Sequence, residues 1–389
     1  MLAGPQVGQF FAELGAEVLK IESPAGDVTR TWKTAAETAP TGVAQAANDT
    51  SVSAYFSASN WGKKSLVLDL TTAVGQTALH RLATQADIII ASYKPGDAEK
   101  LRADYATLSA ENPRLIYGHL TGYGPDNARA GYDAVLQAEA GFMYLNASGP
   151  GQPPQKMPVA MVDLLAAHQL KEGLLTALFR REKVGRGALV QVSLLDSALS
   201  ALANQAATYL VTDHDPQPLG SGHPSIVPYG TVYQAADGRH LVLAVGSDGQ
   251  FRQLCAALEN PAWAADARFA TNAARVVHRA ELEALLTERI ATVDGDALLV
   301  EMERRVVPAG AVRSVGEALR HPSAQPMRLP AAGLGAGLRT VAFRSPAWAV
   351  MGQLSPPPAL GLTVQWGFSG QVGAANETTA VLPCVPPVT

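Results

Sequence analysis

Asp163 is the carboxylate whose surroundings invite a chemical reading. It stands in Pro158-Val-Ala-Met-Val-Asp163-Leu-Leu-Ala-Ala, at the first turn of a long helical pattern that follows a Gly/Pro-rich break at residues 146–158. An aspartate there caps a helix well. It can also act as a covalent nucleophile, because the helix end helps to keep it ionised at neutral pH. Spacing alone leaves both readings open. The lysines (20, 33, 63, 64, 94, 100, 156, 171 and 183) all fall in the first half of the chain, and Lys63, Lys64, Lys94 and Lys100 follow strands or begin helices. In an open parallel sheet that is where ligands bind, so phosphate recognition and plain solvated charge both fit. The remaining motifs exclude more than they suggest. There is no GxSxG, HExxH or GxxxxGK[ST], and the eight histidines are dispersed without ligand spacing, so no metal site is expected. Gly333-Leu-Gly335-Ala-Gly337 neither follows a strand nor opens a helix and reads as a loop; Gly185-Arg-Gly187 reads as a turn. Cys255 and Cys384 form no CxxC.

The elements that must position these residues show a βαβα rhythm. A helix over Pro5–Leu14 precedes strands at Glu17–Glu22, Ser65–Leu70, Asp87–Ser92 and Leu115–Leu120, with helices near 72–85 and 98–110. That order predicts an α/β, Rossmann-like, doubly wound parallel sheet. A helix over 162–181, a strand over 188–193 and a helix over 194–210 follow. The texture then changes at the Pro/Gly/His-rich residues 213–228. A hairpin around Asp237-Gly238 and helices near 248–258, 278–292 and 296–304 make a smaller α+β domain. The expected organisation is a large domain over 1–212, a small domain over 213–325, a return to the large domain over 326–361, and an atypical tail over 362–389. Residues 345–389 carry a single charged residue, Glu377, and no helical period. The chain has 389 residues, 47% hydrophobic and 16% charged, with a net charge of −4. Such a composition suits a globular core and argues against a nucleic-acid binder. No long apolar run predicts a membrane span and no signal-peptide pattern opens the chain, so a cytoplasmic protein is expected.

Taken together, these stretches resemble the class III CoA-transferase family. Ala3-Gly4-Pro5 with Leu14-Gly-Ala-Glu-Val-Leu-Lys-Ile-Glu22 matches its opening, and Gly26-Asp-Val-Thr-Arg30 matches its GDxxR. Asn60-Trp-Gly-Lys-Lys-Ser-Leu-Val-Leu-Asp-Leu70, Ser92-Tyr-Lys-Pro-Gly96, Asn112-Pro-Arg-Leu-Ile-Tyr117 and Gly131-Tyr-Asp133 follow in the family's order, and Asp163 falls on its nucleophilic aspartate. The resemblance continues into the smaller domain and reaches about residue 361. The family's strand before Ala3 has no counterpart, so a start at an internal methionine or a misplaced start codon is expected; after Gly361 the family has a charged segment and a helix, this sequence supplies neither, and residues 362–389 are expected to be irregular, without a family-like helix.

The resemblance implies an interlocked homodimer that takes acyl-CoA and a carboxylic acid as substrates and holds no permanent cofactor. Asp163 would form an anhydride with the acyl group, then an aspartyl-CoA thioester. Leu2, Ala3, Asn60, Lys63, Ser92, Tyr93, Lys94 and Lys100 would line the nucleotide site, with Tyr93 against adenine and lysines on phosphates. Ala130, Gly131, Tyr132 and Asp133 would border the pantetheine arm, and Gly220-Ser221-Gly222 would form a lid. Two other readings stand beside this one. A 2-methylacyl-CoA racemase shares the aspartate but needs a second acid/base, where this chain has Tyr132, a phenol of pKa ~10 and a poor proton acceptor at pH 7. The third reading is a non-catalytic CoA-binding protein.

Overall fold

The computed structural model describes residues 2–38, 52–330, 336–345, 354–360 and 378–382. Gly333, Gly335, Cys384 and the tail residues 361–377 and 383–389 lie outside the described residues. The chain divides into two compact units.

The first unit takes Met1–Ala140, Pro158–Ala206 and the chain from Pro326 onward. Its six-stranded sheet contains β1 (Glu17–Glu22), β2 (Lys63–Val67), β3 (Ile88–Ala91), β4 (Ile116–Thr121) and β5 (Ala188–Ser193). Short strands Arg328–Pro330 (β9) and Ala336–Leu338 (β10) form a separate ribbon, and the last strand is Thr378–Leu382 (β11). The sheet order is β2-β1-β11-β3-β4-β5. Two blocks are parallel, β2 with β1 and β3 with β4 and β5, as the βαβα rhythm predicts. The strand between them is not. β11 lies antiparallel to both β1 and β3, with Thr379 opposite Lys20 on one side and Ile90 on the other. The sheet is therefore mixed rather than all-parallel. The expectation that 362–389 is an irregular tail also needs correction for residues 378–382, which form a central strand. The physical reason is pairing: β1 and β3 each present a row of backbone donors and acceptors toward the same slot, and a buried slot must be filled.

On one face of this sheet lie α1 (Ala3–Glu13) and the long α6 (Met161–Val184). Between them in sequence come α2 (Ala54–Ser57), α3 (Ala73–Ala83), α4 (Tyr105–Glu111) and α5 (Asp133–Glu139). The α6 helix buries Val162, Ala166, Ala167, Leu170, Leu174 and Ala177, a stripe at helical spacing, and ends at Gly185 with φ of 72°. Leu170 and Leu174 pack over Gly118 of β4, where an added Cβ would lie 3.1 Å from Leu170. The other face is covered by α3 and α4 over Ile89, Ala91 and Tyr117.

The second unit is Gly141–Met157 with Ala207–Gln325. Strands β6 (Tyr229–Gln234), β7 (His240–Ala244) and β8 (Ala309–Ala311) form an antiparallel sheet, with the Asp237-Gly238 turn between β6 and β7. Helices Asp248–Ala257, Arg279–Ile290 and Gly295–Arg304 close a core of Leu241, Leu243, Phe251, Leu254, Leu282 and Leu286. Cys255 is buried in that core, and burial pushes its thiol up to about 11. No helix among the described residues is long and apolar enough to cross a membrane. No cluster of His, Cys, Asp or Glu among them is arranged to hold a metal ion.

Candidate active site

The capping role that sequence spacing allows Asp163 belongs to a different residue. The N-cap of α6 is Ala160, which contributes no side-chain cap. Asp133 does the capping from the start of α5. Its Oδ1 accepts from the Val162 amide at 2.8 Å and the Asp163 amide at 3.3 Å. Its Oδ2 accepts from Gln137 Nε2 at 2.7 Å, which fixes the carboxylate. Asp133 arrives there because the chain after β4 doubles back with backbone on backbone: a Cβ on Gly131 would fall 2.2 Å from the Gly122 Cα. Only glycine at both positions permits that approach.

Relieved of capping, the Asp163 side chain sits half-buried in the first turn of α6 and accepts no hydrogen bond from any described residue. Burial pushes its pKa up to about 6, and the nearby Asp133 carboxylate adds to the rise. A carboxylate without hydrogen-bond partners, poised near neutrality, has its lone pairs available for attack on a carbonyl carbon. Tyr132, the residue before Asp133, is 52% exposed.

The nucleotide-site candidates separate into two groups. Asn60 and Lys63 are buried with Leu2 and Ala3 at the start of α1. There Lys63 Nζ donates to the Pro5 carbonyl and to Asn60 Oδ1, both at 2.8 Å, and Asn60 Nδ2 donates to the Phe56 carbonyl at 2.8 Å. Ser92, Lys94 and Lys100 are exposed where the chain leaves β3; Lys100 pairs with Asp97 at 3.0 Å. Tyr93 lies between Ser92 and Lys94 but faces inward, 3% exposed, against Leu70, Ala98 and Leu101, and its ring has no open face for a base. Ala130 is exposed and Gly131 is half-buried beside Gly122. Gly220, Ser221 and Gly222 belong to the second unit, where the Gly220 amide donates to the Ala147 carbonyl at 3.2 Å and Gly222 to Leu219 at 3.0 Å. A cleft of about 410 Å³ opens beside Lys94, lined by Tyr105, Tyr117, His119, Asp126 and Gln191. Tyr117 and His119 alternate with Gly118, which faces α6, so the cleft lies on the sheet face opposite Asp163.

The CoA-transferase family III model matches residues 1–361. The chain belongs to that family. The transferase is 39% identical over 329 residues to the succinate–glutarate CoA-transferase of Agrobacterium fabrum, which covers 84% of this chain and 80% of that protein. It is 31% identical over 379 residues to the human succinyl-CoA:glutarate CoA-transferase, across 93% and 81% of the two chains. Among solved structures, a CAIB/BAIF family protein from Brucella suis superposes with a TM-score of 0.77 at 36% identity, covering 94% of each chain.

Sequence reasoning about this transferase passed over Tyr55. Burial raises its phenol pKa, and the Asp163, Asp133 and Asp27 carboxylates raise it further, so the hydroxyl shares the electrostatic surroundings of the candidate nucleophile. Tyr55 meets Trp32 edge to face at 5.1 Å. No local pattern marks the pair, because they come from segments more than twenty residues apart; two aromatics flanking the GDxxR and NWGK stretches were the available signal.

Proposed function

We propose that the chain moves CoA from an acyl-CoA donor to a carboxylic acid acceptor through covalent intermediates on Asp163. The observation that carries this reading is the Asp163 carboxylate itself: half-buried, held at the helix start by another residue's cap, and without a hydrogen-bond partner among the described residues. The ionised carboxylate attacks the donor thioester carbon, the C–S bond breaks, and a mixed anhydride forms as CoA thiolate leaves. The thiolate then attacks the aspartyl carbonyl and releases the donor acid as its carboxylate. The acceptor carboxylate attacks the aspartyl-CoA thioester, giving a second anhydride and thiolate. Attack of that thiolate on the acceptor's acyl carbon yields the new acyl-CoA and restores Asp163. A pKa of about 6 leaves Asp163 mostly ionised at pH 7 while keeping it more basic, and so more nucleophilic, than an ordinary carboxylate.

The names of the relatives support four- and five-carbon dicarboxylates as the acids exchanged. Exposed Lys94 and Lys100 suit the CoA phosphates better than Lys63, whose ammonium is already engaged inside. The glycine-flanked Ser221 remains the lid of this reading. Tyr132, a phenol, supports transfer over α-proton abstraction. A homodimer is part of the proposal; Leu175 and Phe179, one turn apart on α6 and 43% and 65% exposed, supply an apolar face for it. The test is turnover with succinyl-CoA and glutarate in Asp163→Ala and Asp163→Asn. Both should lose on the order of 10³-fold or more. With substrate, hydroxylamine should mark Asp163 as a hydroxamate in a peptide mass map. Normal turnover in the Asn variant would refute the covalent reading.

A further inference from the structure

Residues 92–103 carry both exposed lysines of the reading above, Lys94 and Lys100. The segment leaves the end of β3, forms the single helical turn Asp97–Lys100, and enters α4. One turn of helix does not hold itself together in water, because its few hydrogen bonds do not repay the dihedrals they fix. The internal bonds here are the Asp97 amide to the Lys94 carbonyl at 3.1 Å, the Lys100 amide to Gly96 at 3.3 Å and the Ala103 amide to Ala98 at 2.8 Å. The turn closes at Arg102, whose φ of 53° is a left-handed backbone that a residue with a Cβ adopts at a cost.

Three side chains from outside the segment hold it by its carbonyls. At its start, His119 of β4 donates from Nε2 to the Tyr93 carbonyl at 3.1 Å. At its far end, His80 of α3 donates from Nε2 to the Arg102 carbonyl at 2.9 Å, and the Tyr117 hydroxyl donates to the Ala103 carbonyl at 2.7 Å. A carbonyl oxygen only accepts, so each imidazole carries a proton on Nε2. The His80 ring has a second acceptor on its other side: Nδ1 lies 2.7 Å from Glu111 Oε1 at the end of α4. The ring is thus wedged between the strained Arg102 corner and α4, and its side chain is only 14% exposed. The pinned carbonyls adjoin the lysines. Lys94 follows Tyr93 directly, and Lys100 stands two residues before Arg102. A lysine ammonium is a point charge on a flexible stem, so the backbone under it decides where it can reach. With that backbone already fixed, two ammoniums meet one anionic ligand without an ordering cost on binding.

We infer that His80 and His119 are positioning residues for CoA: they pin the two ends of the segment, so that Lys94 and Lys100 reach the nucleotide phosphates together. The inference rests on the reading that those two lysines bind the phosphates. The experiment uses the full chain with succinyl-CoA and glutarate, and compares His80→Ala, His80→Gln and His119→Ala. A glutamine amide can replace the Nε2 donor, and alanine cannot. KM for succinyl-CoA should rise roughly 3- to 10-fold in each Ala variant, the factor expected for one lost net hydrogen bond. Its dependence on salt should flatten, because fewer phosphate contacts form. The kcat at saturation should stay within about twofold, since these side chains act on binding of the nucleotide and not on the transferred acyl group. His80→Gln should recover most of the lost affinity. Partial unfolding lowers the apparent kcat and leaves KM alone, so the two effects separate. An unchanged KM in either Ala variant overturns the inference for that histidine, and a Gln variant as weak as His80→Ala overturns the carbonyl clamp. An unchanged KM when Lys94 and Lys100 are both replaced by Ala would instead overturn the underlying reading.

Discussion

Replacing Asp163 with asparagine should stabilise the protein at neutral and alkaline pH and leave its stability unchanged in acid. The carboxyl has a pKa of about 6 in the folded protein against an ordinary 3.8. Below about pH 3 both folded and unfolded chains carry the proton, so the group makes no difference to stability. As pH rises, the unfolded chain gives up its proton first while the folded chain still holds one. Stability therefore falls through this window, and the loss is complete once pH passes the folded value of about 6. The difference of about two pK corresponds to roughly 3 kcal/mol. Asparagine is neutral throughout and has no carboxylate hydrogen bond from a described residue to lose. For a unit of about 250 residues the gain is roughly 6–12 °C in Tm at pH 8, shrinking to nothing below about pH 3. Thermal melts of the two proteins across that pH range measure it, and transfer by the unaltered protein should rise with pH through an inflection near 6. An equal Tm difference at both ends of the range, or a less stable Asn variant at pH 8, would refute the claim that Asp163 is held ionised against its surroundings.

Changing Lys94 and Lys100 together to Ala should weaken CoA binding and flatten its dependence on salt, measured by calorimetry at low and high ionic strength. Lys63→Ala should instead leave that salt dependence intact and lower stability by about 1–3 kcal/mol, because the Pro5 carbonyl and Asn60 Oδ1 lose their buried donor; a flattened salt dependence in Lys63→Ala would place its ammonium on the nucleotide after all. In deuterated water a chiral 2-methylacyl-CoA should show no exchange at the α-carbon, and rapid exchange without an acceptor acid would establish racemisation. Ala380→Pro should cost about 3 kcal/mol or more in urea unfolding, since Ala380 pairs with Leu19 and Ile89 on its two sides and proline removes a ladder donor from a central strand; unaltered stability would mean that β11 contributes nothing to the sheet.

The order of elements and the place of Asp163 were legible because they depend on local pattern. The α6 stripe repeats at helical spacing, Gly185 closes it, and the Gly/Pro-rich break before it marks its start. The role of Asp133 was not legible from spacing. Its carboxylate reaches amides 29 and 30 residues away, and only the Gly122–Gly131 backbone contact brings it there. Lys63 is a similar case. Nothing in Lys63-Lys64 says which ammonium turns inward, since the carbonyl that accepts from Lys63 comes from Pro5, far back in the chain. Tyr93 differs, because the burial of aromatic rings is a general tendency: set between the exposed Ser92 and Lys94 just past the end of β3, it turns inward.

The C-terminal segment teaches the same point about period from the opposite side. Its near absence of charge reads as irregular when compared with a surface helix, which needs a polar face every few residues. A strand in the middle of a sheet covered on both faces has no such need; its sequence should be short, uncharged and rich in β-branched residues. Thr378-Thr-Ala-Val-Leu382 meets that description, and it pairs on both sides where two parallel blocks would otherwise leave facing rows of unpaired amides and carbonyls. Its direction could not be read from composition, because an antiparallel partner needs no crossover and leaves no helix in the sequence to announce it. The β1 end that β11 helps to hold carries Lys20 and Glu22, the ion-pair partners of Asp27 and Arg30, so the last described strand of the chain borders the buried charges that tie the following turn to the sheet.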